Sequence, residues 1–113
     1  NELRILRHIR HPNIILLHGV CFHSNRGLQL VLERVHGTTL KEFILEQEEW
    51  EIVNVFNKVA DERRCIAQDL CGAMVYLHSR RPIIVHADIK PSNVMVKRTE
   101  PGAQAKLLDF GLS

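Results

Sequence analysis

The sequence has 113 residues, 45% of them hydrophobic and 25% charged, the balance of an ordinary globular protein. A formal net charge of +2 spread over scattered basic residues gives no nucleic-acid footprint, and no apolar run reaches the roughly 18 residues of a membrane span. Three cysteines, Cys21, Cys65 and Cys71, lack CxxC or Cys/His ligand spacing, so the expectation is buried, reduced thiols in a cytosolic or nuclear protein.

In chain order, Glu2 to Arg10 carries Leu3, Leu6 and Ile9 at roughly helical spacing. Pro12 biases His11 away from helical angles, so the helix is expected to stop there. Residues 14–21 and 28–33 are two apolar strand candidates joined by the turn His23-Ser24-Asn25-Arg26-Gly27. Thr38 and Thr39 suit the cap of a helix whose apolar residues are Leu40, Phe43 and Ile44. The acidic run from Glu46 to Glu51 reads as a solvated helix end or loop. A longer helix is predicted over about 59–79, where Ile66, Leu70, Ala73, Met74 and Leu77 form one face. Arg80-Arg81-Pro82 ends it. Thr99-Glu100-Pro101-Gly102 is a turn signal, and 105–108 a short strand closing a hairpin.

The most informative stretch runs from Val85 to Val96. Ile83-Ile84-Val85 and Val94-Met95-Val96 read as strands, and between them lie an acid, a base and an amide: Asp88, Lys90 and Asn93. Phosphoryl transfer asks for such a set, with a carboxylate for the acceptor hydroxyl, a cation for developing charge and oxygen ligands for magnesium. Sixteen residues beyond Asn93 stands Asp109-Phe110-Gly111. The order and spacing resemble the catalytic loop and magnesium-binding tripeptide of eukaryotic protein kinases, a family that general accounts of phosphoryl transfer use as their template.

The resemblance covers nearly the whole chain and implies an α+β, two-lobe protein-kinase-like fold. Residues 1–33 match part of the small lobe, 34–37 the hinge, and 38–113 the first part of the large lobe. It implies Asp88 as catalytic base or orienting group, Lys90 on the transferred phosphoryl group, and Asn93 and Asp109 as magnesium ligands. Glu2, ten residues before Pro12, matches the helix glutamate that pairs with a strand lysine. Backbone groups of Glu33 and Val35 would meet the adenine edge, Leu32 would limit the pocket behind it, and Leu40 and Met95 would lie beneath the ring. Leu6, Leu17, His86 and Phe110 match positions that stack across the lobes. Asp-x-Lys-Pro at 88–91 resembles serine/threonine kinases, with wording close to the tyrosine-kinase-like group. The implied cofactors are ATP and Mg2+, and the implied partner is a protein substrate.

Two positions depart from the pattern. Arg34 replaces a more usual aromatic residue at the hinge. Ala87 stands where most of the family has arginine, and alanine makes no charge-assisted bond to a phosphorylated loop. What this implies is a kinase not controlled through that arginine. The chain starts without methionine and ends two residues after Gly111, so it reads as a fragment, poorly stable and inactive alone. The rival expectation is a pseudokinase or regulatory kinase-like binding module.

Overall fold

The computed structural model describes residues 2–49, 56–99 and 102–108. Helix α1 (Glu2–Leu6) leads to an antiparallel hairpin of β1 (Leu17–His23) and β2 (Gly27–Leu32). A two-residue strand β3 (Thr38–Thr39), helix α2 (Leu40–Glu49) and the long helix α3 (Phe56–His78) follow. A single 3-10 turn at Pro91–Asn93 then opens onto the hairpin of β4 (Val94–Arg98) and β5 (Ala103–Leu107). Among the described residues the strands form two sheets, β1–β2 and β3–β4–β5. This is the α+β class that the sequence predicts.

The core lies where α3 meets the β4–β5 hairpin. From the predicted stripe, Ile66, Ala73 and Leu77 are buried and Leu70 packs against them. Opposite, Val94 and Val96 on β4 and Ala103, Ala105 and Leu107 on β5 are buried, as period-two alternation requires. The register pairs Val94 with Leu107 and Val96 with Ala105, so these side chains share one face, while Met95 and Lys106 share the other. Leu6, Ile9, Ile14 and Leu17 join the same cluster, fastening α1 and the start of β1 to it. Arg98, at the end of β4, stacks over the Phe43 ring at 5.0 Å and lies 3.5 Å from both Glu46 and the buried Glu62. It thereby joins α2 and α3 to the sheet.

An outer strand carries unpaired amides and carbonyls that invite association. On β5 those of Ala105 and Leu107 are taken. Asn13 Nδ2 donates to the Ala105 carbonyl at 3.0 Å, and the Ala105 amide donates to Asp69 Oδ2 at 2.8 Å. The Leu107 amide donates to Asn13 O at 2.8 Å, and the Ile15 amide to Leu107 O at 3.0 Å. The His11-Pro12-Asn13 turn is in turn pinned to α3. The Asn13 amide donates to His11 Nδ1, the His11 ring lies 5.1 Å from the Tyr76 ring, and the Arg10 amide donates to the Tyr76 hydroxyl at 3.0 Å.

Several sequence expectations need correction. Helix α1 stops at Leu6 rather than Arg10, because the following amides of His8 and Ile9 bond three residues back and the Arg10 guanidinium takes the Arg7 and Ile9 carbonyls. Strand β1 begins at Leu17, since Ile14 forms a parallel bridge to Leu107 instead. Residues 83–85 are not a strand: the chain from 83 to 90 has no regular structure, and Ile83 and Val85 are exposed. Apolar β-branched composition makes that run look buried, but among the described residues no strand pairs with it to complete a ladder. The second strand of the last hairpin spans Ala103–Leu107, two residues earlier than its predicted start. The thiols are not buried either, as Cys21 and Cys71 are exposed and Cys65 is half-buried.

Candidate functional site

The loop before β4 is shaped by its own sequence. A residue preceding proline is driven to extended angles, and Lys90 has φ −154° and ψ 159°. Pro91 then fixes the first turn of the 3-10 segment, which closes when the Asn93 amide donates to Lys90 O at 2.9 Å. Upstream, Ala87 has φ 68°, a left-handed conformation that costs a residue with a Cβ about 1–2 kcal/mol. The kink is held on one side by His86, a fully buried ring. Its Nδ1 accepts from the Asp88 amide at 3.1 Å, so Nε2 bears the proton and donates to the Leu108 carbonyl at 2.7 Å.

These backbone constraints bring three of the predicted residues together. Asn93, itself buried, donates through Nδ2 to both the Asp88 carbonyl at 2.9 Å and Asp88 Oδ2 at 3.0 Å. Lys90 Nζ lies 3.5 Å from the same Asp88 oxygen. The amide orientation of Asn93 follows from its two acceptors and leaves Oδ1 turned away from Asp88. Leu108, the neighbour of Asp109, donates its amide to Asn93 O at 2.8 Å. Asp109 and Phe110 lie outside the described residues, as does the side chain of Glu2, whose backbone opens α1.

The residues predicted to meet the adenine cluster differently from the acid set. Leu32 ends β2 and is 44% exposed, and Glu33 and Val35 follow it in an irregular segment. Met95 is half-buried on β4, paired with Lys106 on one side and Thr39 on the other. Gly37 seats the segment on the sheet, for a Cβ there would run into the Val96 carbonyl.

Sequence reasoning missed the tie that holds this segment. Lys106 Nζ reaches Glu33 Oε2 at 2.8 Å, while the Leu16 amide donates to Glu33 Oε1 at 2.9 Å. The resemblance gives Glu33 a role through its backbone alone and gives Lys106 none. No local pattern joins residues 73 positions apart; only the β4–β5 register and the end of β2 do. Burial pushes the Glu33 carboxyl upward, but the Lys106 and Leu16 hydrogen bonds and the charges of Lys106 and His18 outweigh it and hold the acid below its ordinary 4.5. A depressed carboxylate contributes stability above its unfolded value and loses it as pH falls through the folded one. Wild type should therefore exceed Glu33→Gln by about 1–3 kcal/mol at neutral pH. Urea melts at descending pH should show that gap closing once the pH drops below the ordinary carboxylate range.

Over its whole length, residues 1–113, the chain matches the model of the protein kinase domain. The chain belongs to the protein kinase domain family. This kinase domain sequence is 34% identical over 114 residues to serine/threonine-protein kinase DCLK3 of Homo sapiens, covering 100% of the chain and 16% of that protein. It is 38% identical over 112 residues to calcium/calmodulin-dependent protein kinase type II of Caenorhabditis elegans, covering 99% of the chain and 14% of that protein. The kinase fold is likewise that of the crystal structure of Rad53 1-466 in complex with AMP-PNP, with a TM-score of 0.73 and 29% identity over 99% of this chain and 27% of that one. The kinase segment thus spans a small part of the curated relatives that it matches. No helix among the described residues is long and apolar enough to cross a membrane.

Proposed function

We propose that residues 1–113 form the central portion of a serine/threonine protein kinase that transfers the γ-phosphoryl group of ATP to hydroxyls of protein substrates. The observation that carries this reading is the convergence of Asp88, Lys90 and Asn93, docked against the backbone of Leu108. In this reading Asp88 orients the acceptor hydroxyl and takes its proton, while Lys90 offsets charge on the phosphoryl oxygens. Lobe boundaries follow as 1–33, a hinge at 34–37, and 38–113. Glu33 and Val35 present backbone groups to the base, with Leu32 behind it and Met95 beneath. Glu2 orients a nucleotide-binding lysine. The nucleotide bound in the Rad53 structure supports ATP as donor, and the serine/threonine kinases among the relatives support the acceptor class.

Magnesium fits the donors present. The Asn93 Oδ1 turned away from Asp88 and the Asp109 carboxylate are the hard oxygens this ion prefers alongside waters and phosphates. Bound there, Mg2+ would neutralise phosphate charge. The test is transfer of labelled γ-phosphate from ATP by the intact protein to serine-, threonine- and tyrosine-containing peptides and to small metabolites. Labelling of serine and threonine peptides alone is expected. Nucleotide binding with no transfer to any acceptor would replace this reading with a kinase-like binding module.

A further inference from the structure

A cavity of about 390 Å³ lies at the end of α3, lined by His78, Ser79, Arg80, Arg81, Pro82 and Ile83. The described lining holds two guanidinium groups and no carboxylate. Elsewhere Arg64, Lys90, Arg98 and Lys106 have carboxylate partners, but Arg80 and Arg81 have none among the described residues. A helix C-terminus attracts cations through its free carbonyls. Here those carbonyls are already served. Val75 O accepts from the Ser79 amide at 2.9 Å, Tyr76 O from the Ser79 hydroxyl at 2.9 Å, and Leu77 O from the amides of Arg80 and Ile84 at 3.3 and 3.1 Å. The two arginine side chains are therefore not needed as caps.

The same bonds hold the loop in shape, since Leu77 O closes residues 78–83 at their base. Arg80 is also held in place. Its guanidinium lies 5.1 Å from the centre of the Tyr76 ring, and that ring is fixed in turn by the Arg10 amide and the His11 imidazole. Stacking uses the face of a guanidinium and leaves its in-plane N–H donors free for an anion. Beside this charge, Ile83 is 65% exposed.

We propose that this cavity takes the phosphate of a phosphorylated serine or threonine in a partner protein, with Arg80 and Arg81 on the phosphate oxygens and an apolar neighbour of the modified residue against Pro82 and Ile83. A phosphate group offers three strong acceptor oxygens, and a guanidinium fork meets them in pairs. Clustered arginines are a recurring means of reading such a group. A nucleic acid or an anionic membrane would need cations spread along a surface; a concave loop with two arginines suits one compact charge. The site does not depend on the reading of Asp88, Lys90 and Asn93 and stands whether or not that reading does.

The probe is a labelled Ala-Leu-phosphoserine-Leu-Ala peptide, followed by fluorescence anisotropy with the intact protein. The controls are the unphosphorylated peptide, a single-stranded oligonucleotide and phosphatidylserine vesicles. The phosphopeptide should bind at least about tenfold more tightly than its unphosphorylated form, the worth of roughly one charge-assisted contact. Arg81→Gln should weaken it by a similar factor at an unchanged melting temperature. Arg80→Gln should weaken it too, while lowering the melting temperature through loss of the Tyr76 stack, so Arg81→Gln is the deciding variant. Saturating AMP-PNP should leave the affinity unchanged. Equal binding of the unphosphorylated peptide, unchanged affinity in Arg81→Gln, displacement by AMP-PNP, tighter binding of the oligonucleotide or the vesicles, or no binding of the phosphopeptide would each overturn the proposal.

Discussion

Replacing Asp88 by asparagine should lower kcat for peptide phosphorylation by about 10²–10⁴, the range associated with a positioned proton acceptor. Nucleotide affinity should change little. The substitution is nearly isosteric, yet it removes the negative charge that Lys90 approaches at 3.5 Å and the proton acceptor itself. Asn93 Nδ2 can still find the carbonyl of residue 88 at 2.9 Å, so the loop keeps one of its two ties and the fold should survive. Steady-state kinetics with a serine peptide, beside a melt of each protein, separate the two effects. A fall in kcat with matched melting points is the expected result. A variant that keeps most of its turnover would remove Asp88 from the chemistry.

The second large effect concerns stability and does not involve Asp88, Lys90 or Asn93. Ala105 is fully buried, and its amide and carbonyl are taken by side chains from α3 and from the His-Pro-Asn turn. Asp69→Ala leaves the amide without its charged acceptor, a loss of about 1.5–3 kcal/mol for a bond of this kind. Asn13→Ala strips the carbonyl and should cost about 1–2 kcal/mol. Because both act on one residue of one strand, the double variant should not be the sum of the two. Once β5 loosens at Ala105, the second tie has less left to hold. Denaturant melts of the four proteins measure that coupling. Strict additivity would mean that the two side chains do not share the strand as described.

What was legible in the sequence follows from the range of the forces involved. The stripe from Ile66 to Leu77 and the Gly27 turn, with its φ of 69°, are local, and each matches the structure to within a few residues. The turn that gathers Asp88, Lys90 and Asn93 was legible because Pro91 dictates the conformation of Lys90 and the turn to Asn93 within a handful of residues. The Ile83–Val85 run misled because β-branched composition records a preference for extended backbone, which the segment has, and says nothing of whether a partner strand is near. Contacts made between distant residues were out of reach. No local pattern marks Asp69 on its long helix or Lys106 on its short strand. Their roles appear only when β5 is laid against α3 and against the end of β2.

The most direct measurement is the affinity of the intact protein for AMP-PNP with and without Mg2+, in wild type and in Asn93→Ala. If residues 88, 90 and 93 build one cradle for metal and nucleotide, magnesium should tighten wild-type binding about tenfold or more, and the variant should lose most of that gain while still binding the metal-free nucleotide. A magnesium effect of the same size in both proteins would show that the amide of Asn93 has no part in holding the ion, and the cradle would not exist.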